Sequence, residues 1–289
     1  MQIRYWLHAL TPVHLGAGRG LGYIDMPVAR EKVTNWPYIP GSSVKGVIAD
    51  YWNASEDNRK KEEYKDLKAA FGTKGSDDNC AAGALVFTDA NILCLPVRSF
   101  YGTFAWITSP FCLRRMNMNI NLPTFPAKIE ALVPDSSILT GQENKIYLED
   151  LDIDTQKNNH VTKIADEISK SVFAENPDWQ DIFKARFAIV NDDIFTFLCE
   201  SGTEVSAHIR INEETGIVQG GALWYEEALP VETILTGQVW CDKVFFKASG
   251  LSNKDLLERF CHKDLNIQIG GKASTGKGQV RCIFEKAGE

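Results

Sequence analysis

The two ends of the chain set the tightest limits on its fold. Near the C-terminus, a basic glycine-rich loop, Gly270-Gly271-Lys272-Ala273-Ser274-Thr275-Gly276-Lys277-Gly278, separates two short apolar runs, Leu265 to Ile269 and Val280 to Phe284. Each run reads as a strand, and Asn253 to Cys261 before them has helical spacing. At the N-terminus, Gln2 to Leu10 alternates Ile3, Tyr5, Leu7 and Ala9 with Gln2, Arg4 and His8, and Trp6 breaks the polar side. This predicts a strand packed on one face. A long glycine-rich loop follows. Pro40-Gly41-Ser42-Ser43 then introduces Val44, Val47, Ile48, Tyr51 and Trp52 at helical spacing, with Ser42 or Ser43 as the expected cap. Strand beside helix at both ends predicts an α+β sheet with helices on one face, for which a modified ferredoxin-like (RRM-like) arrangement is the economical choice.

Between these ends, Asn53 to Asn79 is charged and partly helical, Ala84 to Val97 has strand character, and Asn158 to Ser171 has helical spacing. Glu204 to Ile211 alternates Val205, Ala207, Ile209 and Ile211 with Ser206, His208 and Arg210; the turn Glu213-Glu214-Thr215-Gly216 leads into Ile217 to Trp224. That pattern predicts a β-hairpin. Leu235 to Phe246 is a further strand candidate.

With 289 residues, 44% of them hydrophobic, the chain can bury a core without cross-links. Its seven cysteines are scattered and form no CxxC pair, so they read as reduced thiols in a cytoplasmic protein. No stretch approaches the roughly 18 apolar residues of a membrane span, and export is not expected.

The net charge of −7 argues superficially against a nucleic-acid partner, but Glu130 to Glu204 alone carries 16 acids and 6 bases. That segment is −10, leaving +3 for the rest of the chain. From Leu93 to Ile129 there are four bases (Arg98, Arg114, Arg115, Lys128) and no acid, interleaved with Phe100, Tyr101, Phe104, Trp106, Phe111 and Phe125. Cations beside aromatic faces suit single-stranded RNA, although a core role is the commoner fate of such aromatics.

The C-terminal loop nearly meets the phosphate-loop pattern, with Gly271, Gly276 and Lys277 correctly spaced. Gly278 then stands where Ser or Thr would hold magnesium, and a strand follows where a helix should begin. Nucleoside triphosphate hydrolysis is excluded. Glycine-freed amides with Lys272, Lys277 and Arg281 fit an RNA backbone better, a tight structural turn being the alternative. Gly16, Gly18, Gly20 and Gly22 do not match the dinucleotide motif, because Leu21 and Tyr23 occupy the third glycine position. What that loop does present is His14 and Arg19 ahead of a lone carboxylate, Asp25.

These residues carry a resemblance. TPVHLGAG (11 to 18), LGYIDMPVARE (21 to 31), YIPGSSVKGVIADYW (38 to 52), PVRSFYGTFAWITSPFCLRR (96 to 115), GALWYEEALP (221 to 230) and QIGGKASTGKGQV (268 to 280) run in order along almost the whole chain. Together they resemble the RAMP superfamily and, within it, the repeated backbone subunit of Cmr-type (type III-B) CRISPR interference complexes, the fourth Cmr subunit. The GTFAWITSPFCLRR and IDMPVARE stretches are specific to that subunit, whereas the glycine loop is general to the superfamily.

The resemblance implies one RAMP domain: a palm from residues 1–129 and 230–289, an insertion at about 130–203, and a projecting β-hairpin thumb at about 204–229. It implies copies stacked along a CRISPR guide RNA, each thumb displacing a nucleotide so that complementary target RNA is cut at regular intervals, with other Cmr subunits as further partners. Asp25 is the implied catalytic residue, His14 a possible support, and Glu226 or Glu227 a candidate near the scissile position in a neighbouring copy. Arg19, Lys45, Arg98, Gly270, Gly271, Lys272 and Lys277 are the implied RNA contacts. A divalent ion, Mg2+ or Mn2+, would be weakly held by Asp25 and shared with RNA phosphates, since one carboxylate makes a poor metal site. A non-catalytic RNA-binding scaffold is the competing reading, because the fold alone does not decide chemistry.

Overall fold

A computed structural model describes residues 2–16, 18, 23–73, 80–116, 121–141, 143–212 and 216–285. The first part of the chain runs β1 (Gln2–Ala9), β2 (Tyr38–Ile39), α1 (Gly41–Tyr51), α2 (Glu56–Lys60), α3 (Lys65–Phe71), β3 (Val86–Phe87) and β4 (Ala90–Arg98). The middle comprises β5 (Phe104–Thr108), α4 (Pro110–Arg115), β6 (Ala131–Val133), β7 (Lys145–Leu148), β8 (Leu151–Lys157), α5 (Asn159–Val172), α6 (Pro177–Arg186), β9 (Phe187–Val190) and α7 (Asp192–Ser201). The last part contributes β10 (Glu204–Ile211), β11 (Val218–Ala228), β12 (Ile234–Trp240), α8 (Asn253–Phe260), β13 (Leu265–Gln268) and β14 (Gln279–Phe284). The α+β class holds.

One large sheet follows the path β13-β14-β1-β12-β4-β5-β9-β6-β8-β7, with β2 beside β4 and β3 beside β12. β1 lies between β12 and β14, antiparallel to both, so that Trp6 faces Thr236 on one side and Ile283 on the other. The expectation of one buried face is corrected here: Tyr5 and Leu7 are buried beneath α1, α3 and α8 with Ile48, Leu67 and Phe260, while Trp6 is buried on the opposite face with Trp106, Phe183 and Phe195. Trp6 is therefore no irregularity but the core residue of the second face, its indole N–H donating to Glu285 at 3.1 Å. His8 is buried on that face too, with Nε2 2.7 Å from Glu232.

Helices consequently cover both faces rather than one, and the acidic segment is what supplies the second layer. It adds β6 to β9 to the sheet beyond β5, with β9 parallel to β5 and Trp106 opposite Phe187. Along α5 the residues Val161, Ile164, Ala165, Ile168 and Val172 are buried, a helical stripe that sends the charges outward. High net charge there is an outer surface over a normal core.

The expected cap of α1 also differs. Pro40 occupies the cap position without a side-chain hydrogen bond, and the Gly41 N–H donates instead to Asp89 at 2.8 Å. Gly41 packs so tightly that a Cβ would lie 2.4 Å from the Phe87 carbonyl oxygen, which is why the helix starts on glycine. β12 ends at Trp240, short of the run to Phe246.

β10 and β11 form a separate antiparallel ribbon, His208 facing Trp224, with a register shift between Ile209 and Ile211. Val205, Ile209, Ile211 and Leu223 are each at least half exposed on it. The hairpin read from alternation is present and projects from the palm. Of its turn, residues 213–215 lie outside the described residues.

Candidate nucleic-acid interface

The base of β11 organises the site, because neighbouring strand residues point to opposite faces. Trp224 and Glu226 take one face; Tyr225 and Glu227 take the other. Along the free edge of β11 runs the loop that carries Asp25. The Met26 N–H donates to the Tyr225 carbonyl at 3.1 Å and the Glu227 N–H to the Met26 carbonyl at 3.0 Å. The Asp25 side chain completes this edge: its Oδ2 accepts the Tyr225 N–H at 2.8 Å, while the residue as a whole stays exposed. A carboxylate held by one oxygen against a strand edge keeps the other for a ligand.

Glu227 fastens that loop from inside. Only 2% exposed, it accepts the Val28 N–H on Oε2 at 2.9 Å, and Arg30 Nη2 at 2.6 Å and the Thr203 hydroxyl at 2.8 Å on Oε1. Arg30 reaches on to the carbonyls of Asn35 and Cys199. With both oxygens bonded and buried, Glu227 is an anchor of the Asp25 loop. Farther along the same loop, Glu31 pairs with Arg115 of α4, whose hydrogen bond chiefly holds the Glu31 carboxyl below its usual range. Two distant stretches, IDMPVARE and GTFAWITSPFCLRR, thus meet in space.

His14 is buried, and its Nδ1 lies 2.6 Å from the Glu227 carbonyl oxygen. A carbonyl only accepts, so Nδ1 carries the proton and donates, leaving Nε2 on the other side of the ring. There Gly16 leaves room: a Cβ on it would lie 3.1 Å from Nε2. The glycine loop packs on the same segment. The Gly271 N–H donates to the His14 carbonyl at 3.0 Å and the Gly278 N–H to the Pro12 carbonyl at 2.8 Å. Gly270, at φ +86°, lies so close that a Cβ would be 2.3 Å from the His14 carbonyl oxygen. So the structure brings His14, Gly270, Gly271, Asp25 and Glu227 into one connected assembly.

On the other face of β11, Glu226 is 1% exposed. Its Oε1 accepts Lys272 Nζ at 2.6 Å and the Trp224 indole N–H at 2.7 Å. Lys277 Nζ is 3.9 Å and His208 Nε2 3.4 Å from Oε2. Burial alone would raise this carboxyl, but the hydrogen bonds from Lys272 and Trp224 with the charge of Lys272 outweigh it and hold the pKa at about 2. Both glycine-loop lysines that read as RNA contacts are therefore turned toward an internal carboxylate in the RNA-free chain.

The remaining candidates stand elsewhere. Lys45 on α1 donates to the Leu85 carbonyl at 2.9 Å, and burial lowers its pKa. Arg98 ends β4, exposed, with Glu149 at 3.5 Å and Asp150 at 3.9 Å. Arg19 lies outside the described residues. Of the aromatics between Leu93 and Ile129, Trp106 is core, whereas Phe100 is 80% exposed beside Tyr101 and Tyr147. Sequence reasoning missed Trp224, His208, Arg30 and Thr203; the signal for the first two was the strand alternation that puts Trp224 and Glu226 on one face with His208 opposite.

Among the described residues, no group of three His, Cys, Asp or Glu side chains could hold a metal ion. Nor, among them, is any helix long and apolar enough to cross a membrane.

Comparison with known proteins matches this arrangement from end to end. The RAMP superfamily model covers residues 6–281. The CRISPR system Cmr endoribonuclease Cmr4 of Pyrococcus furiosus is 35% identical over 287 residues, which is 97% of this chain and 94% of the relative. The crystal structure of oligomeric Cmr4 from Pyrococcus furiosus superposes with a TM-score of 0.72 at 25% identity, covering 100% of this chain and 99% of that one. A cryo-EM structure of the type III-B Cmr-beta complex bound to cognate target RNA contains a chain of the same fold, TM-score 0.72 at 18% identity, over 98% of this chain and 97% of its own. Since palm, hairpin and glycine loop all fall inside the matched span, this chain belongs to the RAMP superfamily.

Proposed function

We propose that this chain is the repeated backbone subunit of a type III-B CRISPR effector, coating a guide RNA with copies of itself and cleaving the complementary target RNA at regular intervals from the Asp25 loop. It would act in the cytoplasm, bound to guide RNA, target RNA and other Cmr subunits. The observation that carries the chemical part is the Asp25 carboxylate: exposed, yet fixed to the β11 backbone by one oxygen at 2.8 Å.

RNA brings its own nucleophile. In the proposed reaction the 2′-hydroxyl attacks the adjacent phosphorus as its proton passes to Asp25. The bond from phosphorus to the 5′-oxygen breaks, leaving a 2′,3′-cyclic phosphate and a 5′-hydroxyl once that oxygen gains a proton. A regular A-form duplex keeps the 2′-oxygen out of line with the leaving oxygen; in this reading the hairpin, which adjoins the Asp25 loop, unstacks a nucleotide and releases that oxygen. His14 supports the loop by tying β11 to the glycine loop. Glu227 and Arg30 position Asp25 without touching RNA. The donor set does not make a protein-held metal site, so a Mg2+ or Mn2+ ion would rest mainly on target phosphates with Asp25 as one ligand, and no step above depends on it.

The test is Asp25→Asn in the assembled complex. Assembly and target binding should persist, because the amide oxygen can still accept the Tyr225 N–H, while cleavage falls by about 10² to 10⁴-fold as expected for loss of a general base. Equal cleavage by the two complexes would leave the scaffold reading. A target with a 2′-deoxynucleotide just before one cut should lose that cut alone; persistence there would assign the nucleophile to water.

A further inference from the structure

Two buried polar atoms at the base of the hairpin have no hydrogen-bond partner, Glu226 Oε2 and His208 Nε2. They face each other at 3.4 Å. An ionised carboxylate oxygen so deeply buried ordinarily accepts two hydrogen bonds, and leaving it without one is costly. Oε1, by contrast, takes both Lys272 and Trp224. Lys277 is drawn toward Oε2 but stops at 3.9 Å, and the His208 ring is fixed by stacking on Trp224, centroids 5.7 Å apart. One carboxylate is shared by two ammonium groups that it cannot bond equally. The other titratable group against this cluster is Glu204, half-buried, whose carboxyl burial raises and the charge of Lys277 opposes.

Lys272 holds a left-handed backbone conformation, φ +67°, uncommon for a residue with a side chain. Its ammonium group is thereby aimed from the glycine loop at β11. The lysine side chains nevertheless keep 33% and 15% of their surface in solvent, so an incoming anion can reach them.

We propose that Glu226 is a built-in competitor for RNA phosphate, occupying Lys272 and Lys277 in the RNA-free chain so that the glycine loop turns away isolated phosphates and short oligonucleotides and yields only to a continuous RNA backbone. This rests on the reading that these lysines hold the guide. A phosphodiester has two non-bridging oxygens and can take both ammonium groups at once, which Glu226 does not. The carboxylate, however, is tethered beside them at high effective concentration. A lone phosphate must displace it unaided, whereas a strand already held at neighbouring positions presents its next phosphate at a comparable effective concentration. The competitor thus converts a sticky anion site into one that selects for strand length.

The test measures binding of fluorescent oligouridylates, one of about five nucleotides and one long enough to span several subunits, to the full chain as wild type, Glu226→Gln, Lys272→Ala with Lys277→Ala, and the triple variant. Glu226→Gln should tighten the short probe roughly tenfold, the long probe by at least that factor because every subunit it spans gains alike, and the triple variant should lose the gain. Unchanged or weaker short-probe binding by folded Glu226→Gln, with the lysine pair still needed for the long probe, would overturn the competitor and make Glu226 a scaffold for the lysines. Long-probe binding indifferent to the lysine pair would instead overturn the guide-contact reading. Should Glu226→Gln not fold, the wild type decides: removing the lysines should weaken the long probe and leave the short one unchanged, and equal losses on both would refute the proposal.

Discussion

Glu226 and Glu227 are neighbours in sequence and opposites in construction. Glu227 has three hydrogen bonds spread over both oxygens, from a backbone amide, a guanidinium and a hydroxyl. Glu226 gathers its hydrogen bonds on one oxygen, from a lysine and an indole, and leaves the other facing groups it does not bond. The first set includes a backbone amide, the second only side chains, one of them a flexible lysine. Under the proposed function, the loop that places the Asp25 carboxylate is held by the saturated glutamate, and the loop proposed to exchange partners with RNA is held by the unsaturated one. Strand alternation lets a single dipeptide do both.

The largest effect should come from breaking the saturated side. Glu227→Ala leaves Arg30, the Val28 N–H and the Thr203 hydroxyl facing a void, and loss of one member of a buried charge pair costs about 3–5 kcal/mol. Glu227→Gln keeps an acceptor for Arg30 but sets a donor against the Val28 N–H, for about 1–3 kcal/mol. Thermal unfolding of both variants measures this. Where they still assemble, guide binding should survive while cleavage drops, since Asp25 loses its placement. Weakened guide binding with cleavage per bound target unchanged would show that Glu227 does not position the loop.

Acid should then pick out the unsaturated side. With its folded pKa at about 2, below the ordinary 4.5, Glu226 contributes stability that is fully present above about pH 4.5 and is lost as pH falls toward 2. The difference amounts to something on the order of 3 kcal/mol. Wild type and Glu226→Gln should therefore differ in unfolding free energy at neutral pH and converge below about pH 3. Parallel curves through that window would mean that the lysine contacts to Glu226 do not persist in solution.

Much of this was legible in the residues, and the parts that were not share a cause. Alternation located β1 and the hairpin, because a period of two is local. It misjudged Trp6, because burial of the second face depends on α5 to α7, more than 150 residues away. The glycine loop was recognisable from its glycines, of which Gly270 and Gly278 answer to backbone contacts with the His14 and Ile269 carbonyls that leave no room for a Cβ. That Lys272 and Lys277 turn inward was not, since the sequence shows their charge and not its partner. Asp25 stood out as the first acid of the sequence, yet its fixing by the Tyr225 amide is a backbone contact that no side-chain pattern encodes.

The smallest effect on stability should come from the far end of the same ribbon. Past Ile209 the described residues Arg210, Ile211, Asn212, Gly216 and Ile217 are exposed, and the Asn212 N–H donates to the Ile217 carbonyl at 2.9 Å, with Gly216 in a left-handed conformation at φ +66°. Replacing residues 212–216 by a two-residue turn removes almost no core, so unfolding should shift by less than about 1 kcal/mol. Both glutamate clamps lie at the other end of β11 and are untouched, so guide binding should hold and Asp25 should stay placed. If the hairpin unstacks the target, the shortened chain will coat a guide and pair with target yet cut it poorly, the 2′-hydroxyl remaining locked in A-form geometry. Cleavage at normal intervals after the deletion would move that task from the tip to the base of the ribbon, where Tyr225 already touches the loop, and geometry for attack would then be set by the two glutamates alone.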